Sequence, residues 1–200
     1  MINNKTHSKV EISAFQQVKQ GNKRCGDDYV TIETDSSFIC ALADGLGSGE
    51  GAHCSANIAM EVVKDYYDED VSLILDKCNQ ALIHERGVVI TILKFYFDTN
   101  EIIYGNIGNV ETFLFSKEGE MRRPIPVPGY LCGRKFRYRL ERFPMCDGSY
   151  FVLHSDGMTI SRTDQESIRH SECPNTSIQQ IAQKAQKKND DITVVVGHMT

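Results

Sequence analysis

The chain has 200 residues, 40% of them hydrophobic and 24% charged, the proportions of a globular domain long enough to bury a full core. Its formal net charge of −5 excludes a general electrostatic affinity for nucleic acid, and no apolar run approaches the roughly 20 residues of a membrane helix. The cysteines (Cys25, Cys40, Cys54, Cys78, Cys132, Cys146 and Cys173) are scattered with no Cys-x-x-Cys pair, which argues against a disulfide framework or a zinc site and fits a reducing, cytoplasmic setting.

In chain order, residues 1–10 are polar, hold no hydrophobic signal core and read as a tail before a single domain over 11–200. Ile12, Ala14 and Val18 share one parity and predict a first strand. A basic turn, residues 20–24, leads into Gly26-Asp27-Asp28 and a strand from Tyr29. Phe38 to Ala43 is an apolar run, a buried strand, and it breaks into Asp44-Gly45-Leu46-Gly47-Ser48-Gly49. A helix follows over 50–67, with Ala52, Ala56, Ala59 and Val63 on one face. Asp70 is a candidate N-cap for a second helix, in which Val71, Ile74, Leu75, Cys78 and Leu82 form the core-facing stripe. From Val88 the texture turns β-branched and aromatic: strands over 88–97, 101–107 and 110–116 with short turns predict an antiparallel meander, Gly108-Asn109 reading as a hairpin turn. Residues 121–145 are irregular and basic. Pro124, Pro126 and Pro128 bar a helix through their part of this stretch, and Arg134 and Arg137 suit either a docking loop for an anionic protein or a solvated hairpin. A strand over 149–155 ends in Ser155-Asp156-Gly157. A polar segment over 161–174 that reads as loop or short helix, a helix marked by Ile178, Ile181, Ala182 and Ala185, and a closing strand after Asn189-Asp190-Asp191 complete the chain. Antiparallel strands with clustered helices predict a layered α+β sandwich.

One Asp-Gly at a strand end is ordinary turn chemistry. Four acidic clusters, far apart in sequence and each at a strand terminus, point instead to carboxylates gathered on a hard cation. They are Gly26-Asp27-Asp28, Asp44-Gly45, Asp156-Gly157 and Asp190-Asp191.

In this order, and over about residues 20–197, Gly26-Asp27, Ala43-Asp44-Gly45-Leu46-Gly47-Ser48-Gly49, Gly108-Asn109-Val110, Ser155-Asp156-Gly157 and Asp190-Asp191-Ile192-Thr193 resemble the motifs of the metal-dependent (type 2C, PPM) protein serine/threonine phosphatases. The short chain, Cys25-Gly26-Asp27, Arg86-Gly87 and Pro128-Gly129-Tyr130-Leu131-Cys132-Gly133 are similar to the small stressosome phosphatases within that family. The resemblance implies a four-layer α/β/β/α sandwich of two antiparallel sheets, with two Mn²⁺ or Mg²⁺ ions at one end. Carried over by position, Asp44 bridges both metals, the Gly45 carbonyl binds one, Asp156 and Asp190 complete the other, and Asp27 lies beside the ion bound by Gly45. Alignment of Asp-Asp-Ile-Thr favours Asp190 over Asp191. The implied nucleophile is water activated by the two cations, with no phosphoenzyme. Gly108-Asn109 matches a structural turn behind the site.

The chain also departs from the family pattern. Gly26 stands where the family usually has an acid, which implies a weaker or more water-ligated second metal. Leu46 stands where many members have a histidine. The phosphate-reading arginine has no counterpart at its usual spacing, and Lys23 and Arg24 are the nearest cations. The implied substrates are phosphoserine or phosphothreonine on STAS-domain stressosome proteins, and the implied role is negative feedback on the sigma-B general stress response. Two other readings fit some of the residues: a non-catalytic phosphoprotein-binding domain, and a metal-dependent phosphohydrolase of small phosphate esters.

Overall fold

The computed structural model describes residues 1–200. The strands are β1 (Ile2–Thr6), β2 (Val10–Gln17), β3 (Asp27–Glu33), β4 (Ser37–Gly45), β5 (Val88–Tyr96), β6 (Glu101–Ile107), β7 (Glu111–Phe115), β8 (Met121–Arg122), β9 (Arg139–Pro144), β10 (Tyr150–His154) and β11 (Ile192–Met199). The helices are α1 (Glu50–Asp65), α2 (Val71–Ala81), α3 (Arg162–Arg169) and α4 (Pro174–Ala185). No helix is long and apolar enough to cross a membrane.

Two antiparallel sheets form, ordered β1-β2-β11-β10-β7-β8 and β3-β4-β5-β6-β9. Three hydrophobic clusters separate four layers. Phe38, Cys40 and Leu42 of β4 meet Phe151 and Leu153 of β10 between the sheets. Ile39, Ala41 and Ala43 of the same strand turn the other way, against α1 and α2. On the far side Val152 and Val194 pack on Ile178 and Ile181 of α4. Side chains of a strand alternate between its faces, so a strand buried on both faces reads as an unbroken apolar run. This is the expected α+β, α/β/β/α sandwich.

Two expectations are corrected. Residues 2–6, read as part of a tail, pair with β2 as an edge strand. All five residues are exposed, so hydrogen bonds hold them without apolar burial: the backbone pairing with β2, and side-chain bonds from Asn3 to Tyr29, from Lys5 to the Thr31 carbonyl and from Ser13 to Asn4; a polar sequence gives no sign of that. The meander does not continue through Gly108-Asn109: β6 pairs with β5 and β9, whereas β7 pairs with β10 and β8 in the other sheet. The turn is a crossover between sheets. Gly108 has φ +95°, and a Cβ there would collide with Val89, so glycine suits both the turn and the close approach. Asp70 occupies the N-cap of α2 as expected, without a side-chain capping bond. The polar segment before α4 contains α3, opened by a capping box between Ser161 and Asp164.

The basic stretch is tied to the β5–β6 side of its sheet. Buried Asn106 accepts from the Val127 N–H at 2.8 Å, and the Gly108 N–H donates to the Val127 carbonyl at 2.7 Å. Val88 and Leu131 exchange backbone bonds of 3.0 and 2.8 Å. Val88 is also opposite Gly45 in the β4–β5 register, so this stretch runs beside the strand end that carries Asp44.

Candidate active site

The β3–β4 register sets Asp27 directly opposite Asp44. By strand alternation both project from the face that packs between the sheets, at its open end. From the other sheet, the buried Ser155 hydroxyl just beyond β10 donates to Asp27 Oδ2 at 2.7 Å. Ser155 Oγ also accepts from the Thr193 N–H at 3.0 Å. Gln16 of β2 donates to Thr193 Oγ1 at 3.2 Å. Four strands thus fix the Asp27 carboxylate. Asp156, one residue on, is exposed and accepts from Asn109 Nδ2 at 2.8 Å. The crossover turn therefore orients an acid of the site, a contact that its reading as a structural turn did not foresee.

The electrostatics follow from this crowding. Burial raises the Asp44 carboxyl, neighbouring Asp27 and Asp156 raise it further, and its pKa is pushed up to about 9. Burial likewise raises Asp27, partly offset by hydrogen bonds from Ser155 and Thr193, to about 6. Carboxylates this close resist sharing negative charge unless a proton or a cation joins them.

The last acidic pair divides. Asp190 points to Lys19, Nζ to Oδ1 3.2 Å, with half its side chain exposed. Asp191 is buried and adds its charge to both Asp27 and Asp44. The Asp191 carbonyl lies against Gly157, just after Asp156. The structure thus brings Asp27, Asp44, Asp156 and Asp191 to one end of the sandwich and turns Asp190 outward.

Whether this end suits a divalent ion is a question of donor chemistry. It offers hard carboxylate oxygens and one buried oxygen, Asp191 Oδ2, with no hydrogen-bond partner. As they stand, no three His, Cys, Asp or Glu side chains are close enough together to hold one ion. An ion here would keep several waters, as Mg²⁺ commonly does. Gly45 closes the turn after Asp44 where a Cβ would collide with the Ala52 carbonyl. The donors fit such a metal.

Of the predicted phosphate-reading cations, Lys23 is exposed and Arg24 lies 3.8 Å from Glu50. Arg24 also lines, with Gln16, Asp27 and His53, a cleft of about 740 Å³ that opens onto Asp27. Arg86 carries no site role in the sequence reading, yet it lies over the glycine turn after Asp44. It donates to the Ser48 carbonyl at 3.3 Å and packs on Gly47 and Gly51. Arg134, Lys135 and Arg137 line a second cleft with Pro128, Tyr130 and Phe136.

Comparison with known proteins decides the family. The family described as Stage II sporulation protein E (SpoIIE) matches residues 34–200. The chain belongs to this family of type 2C phosphatases. Phosphoserine phosphatase RsbX of Bacillus subtilis (strain 168) is 32% identical over 204 residues, covering 100% of both chains. A crystal structure of RsbX in complex with magnesium superposes with a TM-score of 0.93 at 31% identity, over 100% of both chains. The catalytic domain of the serine/threonine phosphatase PstP, in complex with two manganese ions, shares the fold with a TM-score of 0.75 at 18% identity, over 96% of this chain and 99% of that one. As a SpoIIE-family phosphatase, the chain is a metal-dependent phosphoric monoester hydrolase.

Proposed function

We propose that this phosphatase removes phosphate from phosphoserine or phosphothreonine on STAS-domain stressosome proteins in the cytoplasm, and so acts as a negative feedback regulator of the sigma-B general stress response. The observation that carries the reading is the gathering of four distant aspartates at one sandwich end of a chain 32% identical, over its full length, to a phosphoserine phosphatase. That combination favours this reading over a phosphoprotein-binding domain or a small-ester hydrolase.

Asp44, the Gly45 carbonyl, Asp156 and Asp27, with one acid of the Asp190-Asp191 pair, would hold two Mn²⁺ or Mg²⁺ ions. When bound, such ions activate water and offset the charge that develops on the phosphoryl oxygens. The chain's own groups set the geometry. Ser155 and Thr193 hold Asp27 in place, and Asn109 aims Asp156. Leu46 offers no proton, so the serine leaving group takes its proton from solvent. Arg24 and Arg86 flank the site as cations for the phosphate, and Arg134 and Arg137 serve the protein around it. The experiment compares turnover of a phosphorylated STAS protein with that of a small aryl phosphate. Strong preference for the phosphoprotein is expected; strong preference for the small ester would replace this reading with a general phosphohydrolase.

A further inference from the structure

The cations of the basic stretch fall into two sets. Arg122, Arg123, Arg139 and Arg142 each pair with a glutamate: Glu120, Glu111, Glu141 and Glu101. Arg134, Lys135 and Arg137 are exposed and pair with no acid. These three unpaired cations all line the second cleft, of about 560 Å³, and no acid lines it with them. In a chain of net charge −5, this cleft concentrates uncompensated positive charge.

The other walls of the cleft are apolar. Ile107 and Pro128 contribute to them, with Tyr130 and Phe136. Tyr130 is 44% exposed. Phe136 is half-buried on the core beneath α1 and α2 and tilts against Tyr138, with ring centroids 5.5 Å apart. Arginines beside part-exposed aromatic rings are the side chains with which protein interfaces anchor a partner. Their complement is a segment that carries carboxylates together with an apolar side chain.

The cleft is held in shape before anything binds. Asn79 of α2 clamps one wall: its Oδ1 accepts from the Cys132 and Gly133 N–H groups at 3.1 and 2.9 Å, and its Nδ2 donates to the Arg134 carbonyl at 2.9 Å. A loop fixed in this way loses little freedom when a partner arrives. Its place in the fold also matters. Ile107 ends β6, and the crossover turn that follows holds Asp156 through Asn109. Leu131 bridges to Val88, which is itself opposite Gly45. The cleft thus borders the end of the sandwich where the aspartates gather, so residues flanking a phosphoserine held there are the ones it meets.

The identity of the occupant rests on the proposal that the substrates are phosphoproteins. We infer that this cleft docks an acidic segment flanking the phosphoserine, its carboxylates meeting Arg134, Lys135 and Arg137 and one apolar side chain lying against Tyr130 and Phe136. Charge complementarity of this kind steers encounter and selects partners, so the cleft acts on KM and leaves kcat to the aspartates.

The test is Mn²⁺-dependent turnover of three phosphoserine peptides of one length: one flanked by Glu and Leu, one with Gln for every Glu, and one with Ser for every Leu. A small aryl phosphate is the control. The Glu-Leu peptide should have a KM about tenfold below that of the Gln peptide, with kcat within about twofold, the reach of three exposed ion pairs. Added salt should narrow the gap. Arg134→Gln, Lys135→Gln and Arg137→Gln together should close it while slowing aryl phosphate hydrolysis far less. Tyr130→Ser should remove the smaller preference for Leu. Arg134→Glu, Lys135→Glu and Arg137→Glu together should move the preference to a Lys-flanked peptide, a gain that a damaged fold would not produce. Equal KM for the Glu and Gln peptides in the wild-type protein overturns the docking site and leaves the phosphoprotein reading intact. Rapid hydrolysis of the aryl phosphate with no turnover of any peptide overturns the phosphoprotein reading, and the docking site with it.

Discussion

Asp44→Asn should abolish turnover and yet stabilise the metal-free protein. The Asp44 pKa is pushed up to about 9 in the folded chain, by burial first and then by Asp27 and Asp156. In the unfolded chain an aspartate titrates near 3.9. Between those values the folded state holds a proton that the unfolded state lacks, so metal-free stability falls as pH rises through this window. At about 1.36 kcal/mol per pH unit over the roughly three units between 3.9 and 7, carrying that proton costs about 4 kcal/mol at neutral pH. Asparagine fills the same space with nothing to titrate. Water reaching Asp44 and local relaxation reduce the effect, so a gain of about 2 kcal/mol is expected, or about 4–8 °C in Tm for a chain of this length. The gain should grow from pH 5 to pH 8. Saturating Mn²⁺ should reverse the order, since only the wild type gains the binding term, about 2.7 kcal/mol at a hundredfold excess over Kd. Calorimetric melts with chelator and with Mn²⁺, at several pH values, read all of this. A metal-free variant that melts below the wild type at every pH would refute the reasoning.

Four further outcomes are expected. Ser155→Ala removes the donor to Asp27 Oδ2 and the acceptor for the Thr193 N–H; it should cost about 1–3 kcal/mol in denaturant unfolding, and an unchanged midpoint would show that the bridge between the sheets is idle. Lys94 is 2% exposed and donates to the Tyr67 and Glu69 carbonyls at 2.7 and 2.8 Å, so Lys94→Met should cost a similar 1–3 kcal/mol, roughly the penalty for stranded carbonyls, while leaving turnover at 25 °C intact. Burial would raise the Asp164 carboxyl, but hydrogen bonds from Lys184 and Ser161 outweigh it and hold it below the usual range. Its stabilising contribution is therefore present above about pH 4 and lost as pH falls through the lowered value, so Asp164→Asn should melt below wild type at pH 7 and converge with it in strong acid. Charge reversal at Arg134 and Arg137 should slow dephosphorylation of a protein more than hydrolysis of an aryl phosphate; equal effects on both would remove these residues from docking.

Much of the fold was legible because β4 and β10 are buried on both faces and run into Asp-Gly, at the end of β4 and two residues beyond β10, a break that apolar runs make conspicuous. The same double burial hid the choice between Asp190 and Asp191. Ile192 to Val196 is apolar at nearly every position, so the sequence has no alternation from which to tell which parity faces the other sheet. Only the packing of Val195 against the inter-sheet core and of Val194 against α4 supplies it. The crossover at Gly108-Asn109 was misread because a hairpin and a change of sheet use the same turn residues, and the difference lies in which partner strand is available. The Asn109 bond to Asp156 and the placement of Arg86 over Gly47 and Gly51 depend on that same long-range assembly. The edge strand at residues 2–6 escaped notice for the opposite reason: it buries no side chain, and backbone pairing leaves no mark on composition.

The central claim is tested most directly by phosphate release from a phosphoserine-bearing STAS protein, with Mn²⁺ and with chelator, beside the Asp44→Asn variant. The account predicts release that requires Mn²⁺ and disappears in the variant while its fold is retained. Release that survives chelation, or substantial Mn²⁺-dependent release by Asp44→Asn, would contradict it.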